Sequence, residues 1–172
     1  MDDRLSDQGT ESVGINWSAL QRWVFVVRAI NKPGSLTAAA SVFSNRGVSL
    51  ESILGSGIDT TTEEDGRMLF SFRATQKKQD LLKRSLERLP SITQVAAYAY
   101  EDKRLRAIAV ARLLPNARVN NDAEDLYVET ISRNEASSLL LLSGGTMAVE
   151  EAIAHFRARQ QLKDVVMSAI TV

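Results

Sequence analysis

A chain of 172 residues, 44% of them hydrophobic, is long enough for one ordinary domain or two small ones with real cores. Twenty-one Lys and Arg balance twenty-one Asp and Glu, so no broad electrostatic field draws in nucleic acid or an anionic membrane. The lack of Cys excludes disulfides, thiolate catalysis and Cys-ligated metal, and it accords with a reducing compartment, so the expected location is the cytoplasm.

Residues 1–21 hold too little apolar content to pack and are expected to form a disordered arm, with Trp17 and Leu20 at its docking end. They contain no signal-peptide core, and no later run reaches the length of a membrane helix. From Trp23 the run WVFVVRAI is β-branched and aromatic on both faces, which predicts a central strand covered from both sides. If Phe25, Val27 and Ala29 face helices, then Val24, Val26 and Ile30 need cover from another domain or chain, and a dimer is expected.

Asn31-Lys32-Pro33-Gly34 breaks that strand, because Pro fixes φ and cannot donate to a ladder. Leu36, Ala39, Ala40 and Phe43 then fall on one helical stripe, and Asn45-Arg46-Gly47 supplies its stop. Residues 48–56 read as a second strand. The polar segment DTTTEEDG ends in Asp65-Gly66, a hairpin dipeptide, so the third strand should run antiparallel to the second. In that strand Met68, Phe70, Phe72 and Ala74 form the buried face, and Arg67, Ser71 and Arg73 the wetter one. Leu82, Leu86 and Leu89 mark a helix over 77–89, Pro90 ends it, and residues 92–100 close the unit as a strand.

Glu101-Asp102-Lys103-Arg104 is a charged junction, after which the order begins again. Strands are expected over 105–114, 127–132, 137–143 and 165–170, with a helix over 146–160. The segment 115–125 is too short and polar for a full amphipathic helix. The expected fold class is therefore α+β, with two tandem ferredoxin-like βαββαβ domains built on antiparallel sheets, the second abbreviated, and a repeat of about eighty residues. The boundaries are an arm at 1–21, a first domain at 22–101 and a second at 102–172.

A loop entering a helix directs unpaired backbone N–H groups and the positive end of the helix dipole at whatever lies before it. Gly34, Ser35 and Leu36 could hold a carboxylate in this way, although a plain strand-to-helix turn with Ser35 near the cap fits the same spacing. His155 is expected to face solvent or the edge of the apolar stripe of its helix, which is Val149, Ala152, Ile153 and Phe156. A lone His without a paired carboxylate makes neither a triad nor a metal site. Glu63-Glu64-Asp65 reads as a solvated hairpin tip. Ser143-Gly144-Gly145-Thr146 lacks the Gly-Lys-Ser/Thr of a phosphate loop and reads as a turn, with Thr146 as an N-cap. No catalytic or metal residue is assigned.

Two runs carry a resemblance. Asn31-Lys32-Pro33-Gly34-Ser35-Leu36, followed by Val42-Phe43-Ser44-Asn45-Arg46-Gly47-Val48-Ser49-Leu50-Glu51-Ser52-Ile53, closely resembles the N-terminal ACT domain of acetolactate (acetohydroxyacid) synthase small subunits. The likeness continues more faintly to Val172, including LLLLSGGTMAVEEAIAHF, and leaves out only the arm. It implies a non-catalytic regulatory subunit of branched-chain amino-acid biosynthesis, a homodimer through its ACT domains that binds valine or a related amino acid at the interface. Asn31, Pro33, Gly34, Ser35 and Leu36 would form the ligand turn of one chain, and Ser49, Leu50 and Ile53 would come from the facing chain. The subunit itself would carry no cofactor; thiamine diphosphate, FAD and Mg would belong to the large catalytic subunit that it activates and feedback-inhibits. The family usually has Asn where this chain has Ser49, and Arg is common where it has Thr37. A hydroxyl is shorter than an amide that both donates and accepts, so the ligand stays open between valine and another small amino acid.

A free-standing ACT sensor acting on transcription or another enzyme is the alternative within the same class. Small sandwiches of this topology also host acylphosphatase and monooxygenase activities, but the chain offers no paired carboxylates, Cys or His-centred site. An RNA-binding sheet would need a basic Gly-aromatic run that the third strand lacks.

Overall fold

The apolar run beginning at Trp23 forms the centre of β1 (Gln21–Ala29) in the computed structural model, which describes residues 20–57, 66–115, 117 and 124–171. The expected arm lies outside the described residues apart from Leu20 and Gln21, and so do Glu63-Glu64-Asp65 and most of 115–125. The chain continues through α1 (Ser35–Ser44), β2 (Leu50–Gly57), β3 (Gly66–Ala74), α2 (Gln76–Leu86) and β4 (Ile92–Ala99). A second series follows, with β5 (Arg106–Leu113), β6 (Leu126–Arg133), β7 (Ser138–Gly145), α3 (Thr146–Ala158) and β8 (Leu162–Ile170). The strands form two antiparallel sheets, ordered β2-β3-β1-β4 and β6-β7-β5-β8. Each has the order expected of a ferredoxin-like unit, and among the described residues the second has one helix where the first has two.

The first core lies between the sheet and its helices. Phe25, Phe43, Phe70 and Phe72 are fully buried there, with Leu82 and Leu86 of α2. Phe25 and Phe72 meet edge to face at 4.8 Å between ring centroids, and Phe43 and Phe72 at 5.1 Å. Burying each such ring stabilises the fold by about 1.5–3 kcal/mol. Thr75 caps α2 by accepting from the Lys78 amide at 3.3 Å, and Lys83 and Arg84 in its last turn suit the negative end of the dipole. Pro90 then prevents continuation.

The helical stripe predicted for α1 is only partly right. Ala39 and Phe43 are buried, whereas Leu36 is 46% exposed. It sits in the first turn, at the mouth of a cavity rather than over the core. A second difference concerns the face of β3 that was expected to be wetter. Leu69 and Ser71 are buried on it, and the Ser71 hydroxyl is hydrogen-bonded to that of Ser52 at 2.7 Å.

The cover comes from the same chain. Val24, Val26 and Leu69 pack with Tyr100, Leu105 and Ala169, joining the open face of the first sheet to the junction and β8 of the second unit. The second face of β1 therefore supports no argument for another copy. Ile30 takes no part in that cluster; it follows β1 and donates its amide to the Ser91 carbonyl at 2.8 Å.

Polar contacts reinforce the join. Arg22 of β1 pairs with both Glu51 of β2 and Glu150 of α3, and its guanidinium lies over the Tyr100 ring at 3.6 Å. Burial alone opposes the Arg22 charge, but the hydrogen bond it donates to Glu150, with further help from Tyr100 and Glu51, outweighs it and raises the pKa. Burial also pushes the Tyr100 phenol up, so it stays protonated and donates to Glu150 at 3.0 Å.

Thr146 was expected as an N-cap, but the cap position belongs to Gly145. The Thr146 hydroxyl is buried and donates instead to the Tyr100 carbonyl at 2.5 Å, tying α3 to the junction. Ser143, Gly144 and Gly145 are likewise strand residues of β7, not a turn. Glycine is required at 144, where a Cβ would collide with the Asp125 backbone carbonyl at the entrance to β6; at 145 the near group is the Asp125 carboxylate, which can move aside.

Candidate functional site

The turn between β1 and α1 lines a cavity of about 290 Å³ at one end of the first sheet. Lys32 donates its amide to the Ile30 carbonyl at 2.9 Å, and Ser35 donates its amide to the Lys32 carbonyl at 3.2 Å, so the turn folds tightly on itself. The Ser35 hydroxyl closes it by donating to the Ile30 carbonyl at 2.9 Å. Gly34 holds φ at 88°, a left-handed conformation in which a side chain would be strained. It is the N-cap of α1 and offers no side chain to its amides. The first-turn N–H groups of Leu36 and Thr37 find no backbone acceptor among the described residues and remain for a ligand or water.

The opposite wall is a strip of backbone. Gly55 and Gly57 of β2 and Gly66 of β3 line the cavity, with Ser56, Arg67 and Met68 beside them, so the sheet presents bare backbone to the turn at three positions. A Cβ on Gly57 would lie 2.7 Å from the Asn31 side-chain nitrogen, and one on Gly66 would lie 2.6 Å from the Ala29 carbonyl. Asn31 therefore packs where two glycines allow it. The wall was missed in the sequence, although the alternation Gly55-x-Gly57 in a strand signals a close backbone approach.

The expected ligand residues fall in two groups. Asn31, Ser35 and Leu36 line this cavity, and Pro33 and Gly34 belong to its turn. Ser49 lies at the other end of β2, in a separate cavity of about 280 Å³ shared with Gly47, Val48 and Lys78. Leu50 packs partly against the first core, and Ile53 is 48% exposed midway along β2. A single chain does not bring the two groups together. What joins them is β2 itself, the edge strand of its sheet, which has no strand beyond it among the described residues.

His155 is exposed on α3, as its stripe implied. Among the described residues no group of His, Asp or Glu has the arrangement of a metal site, and no helix is long and apolar enough to cross a membrane.

No family model and no curated protein matches the sequence. A solved acetolactate synthase small subunit from Thermotoga maritima superposes with a TM-score of 0.65, over 88% of this chain and 98% of that one, at 16% identity. The two chains share a fold. The regulatory subunit of aspartate kinase from Thermus thermophilus is more distant, with a TM-score of 0.43 at 11% identity over 80% of this chain and 91% of that one. The α+β architecture of two tandem ferredoxin-like units thus spans both sheets, the second abbreviated among the described residues.

Proposed function

We propose that the protein is a non-catalytic regulatory subunit of the acetolactate synthase type, which binds a small amino acid between the first units of two copies. In this reading it modulates a separate thiamine-diphosphate-dependent large subunit in branched-chain amino-acid biosynthesis. The observation that carries the reading is the layout of the β2 edge. Ser49 lies four residues before Ile53, and Gly57 lies four residues after it. Antiparallel pairing of two β2 edges about Ile53 would set Ser49 of one copy beside Gly57 and Asn31 of the other. Both groups of ligand residues would then face one cavity. The Leu36 and Thr37 amides would take the carboxylate, and the Ser49 hydroxyl and strand carbonyls the ammonium group. The resemblance of the two sequence runs and the shared fold both support this assignment.

Calorimetric titration with valine, leucine, isoleucine and other small amino acids tests the ligand, and light scattering tests the pairing. One amino acid should bind saturably. Ile53→Asp should give monomers and abolish that binding, because a charge would sit on the two-fold. Restoring the longer amide with Ser49→Asn should tighten valine binding, by about tenfold for one added charge-assisted hydrogen bond. Mixing with an acetolactate synthase large subunit should change its rate. Absence of heat for every amino acid, together with no kinetic effect on a large subunit, would sink the proposal.

A further inference from the structure

A second and larger cavity, of about 460 Å³, lies between the two units and away from the turn at Asn31. That volume falls within the range of about 300–1,000 Å³ typical of small-molecule sites, which favour domain interfaces. The first unit contributes Arg22 and Arg73, with the Glu51 carboxylate between them. The second contributes Glu150 and Arg157 of α3 and an apolar wall made by Ile153, Val165 and Met167.

The polar groups of this cavity are unequally used. Glu51 is paired with Arg22 and accepts from the Arg73 Nε at 2.7 Å, while Glu150 is paired with Arg22 and accepts from Tyr100. Both carboxylates are therefore committed. Arg157 has no ion pair or hydrogen-bonded side-chain partner among the described residues, and the terminal nitrogens of Arg73 are similarly unclaimed. Three guanidinium groups face two carboxylates, which leaves one positive charge in excess and only donors to spare.

We propose that this interdomain cavity binds a small monocarboxylate with a short aliphatic body. The carboxylate sits on Arg157 and the open side of Arg73, where planar guanidinium groups match its two oxygens. The aliphatic body lies against Ile153, Val165 and Met167. An amino acid fits less well here than at the turn, because its ammonium group would meet unpaired cations while both carboxylates are already occupied. The lining comes from both units, so the bound acid adds a bridge between them beside the Arg22 pairs.

The test is calorimetry on the full chain with 3-methylbutanoate, its neutral amide, acetate, inorganic phosphate and valine as probes. Saturable binding of 3-methylbutanoate is expected, with the amide silent and acetate, phosphate and valine at least about tenfold weaker. Arg157→Gln should weaken the acid at least about tenfold, as loss of a charge-assisted pair implies. Arg157 is exposed, so that variant should melt like the parent. Leu36→Glu, at the other cavity, should leave the affinity unchanged. No binding of the acid, equal binding of the amide, acetate, phosphate or valine, or an unaltered affinity in Arg157→Gln would each overturn the proposal. Valine is titrated into Leu36→Glu, whose altered turn repels a carboxylate, so none of these results depends on whether the turn at Asn31 holds an amino acid.

Discussion

β1 and β5 occupy the same place in their sheets, yet they are buried in opposite styles. β1 is flanked by β3 and β4 and is buried on both faces from Trp23 to Val27, with helices on one side and the second unit on the other. β5 is flanked by β7 and β8 and alternates strictly, with Ala107, Ala109 and Ala111 inward. Ile108 and Val110 turn outward, about two-fifths exposed at 39% and 38%. Before Leu113, which is buried at the end of the strand, the larger apolar side chains are thus the more exposed ones. The reason lies in α3, whose Val149, Ile153 and Phe156 fill the second core and leave alanine-sized space beneath them. Which face of an apolar strand is buried depends on what packs against it, and hydrophobicity alone did not predict it for β5.

The sharpest way to break this contrast is to remove side chains from its two faces. Leu105→Ala, in the cluster that covers β1, should cost about 2–5 kcal/mol in denaturant unfolding. Val110→Ser, on the open face of β5, should stay within about 0.5 kcal/mol of the parent. Equal losses would show that the open face is covered too.

A smaller effect is expected at the polar edge of the same join. Glu150→Ala leaves the Tyr100 hydroxyl without its acceptor and Arg22 with Glu51 alone, which should cost about 1–3 kcal/mol. The neighbouring exposed Glu151→Ala is the control and should be near neutral, within about 0.5 kcal/mol. A loss no greater at Glu150 than at Glu151 would show that the ion pairs do not help to hold the units together.

The smallest effect should come from the junction. Arg104, through its side chain and then its backbone N–H, holds the Asp102 carboxyl at about 2, below its ordinary 3.8. A carboxylate with a depressed folded-state pKa contributes stability above its unfolded value and loses it as pH falls through the folded one. Between about pH 5 and pH 2 the parent should therefore lose more stability than Asp102→Asn. Parallel acid-melting curves for the two would show that the Asp102–Arg104 pair adds nothing to the stability of the fold.

Most of the fold was legible from local signals. Strand and helix positions followed from periodicity and from Pro90, because these act through the backbone of a few neighbouring residues. The turn from Asn31 to Leu36 was legible as a candidate site for the same reason. Its far wall was not, since Gly57 and Gly66 matter only once β2 and β3 bring them to Asn31. Thr146 was misread because its hydroxyl answers the Tyr100 carbonyl across the junction, a partner 46 residues away that outcompetes the local cap.

By itself, then, the sequence determined the alternation of strands and helices, the repeated order, and the need for cover on both faces of β1. Those properties depend on side-chain size, branching and backbone freedom at short range. Tertiary structure decided that the cover comes from the chain's own second unit, that Leu36 leaves the core for a cavity, and that two Glu are consumed while Arg157 stays unpaired among the described residues. Each of those outcomes is a contact between distant segments, and its energy is set by what the fold places within a few ångströms rather than by what the chain places next in line.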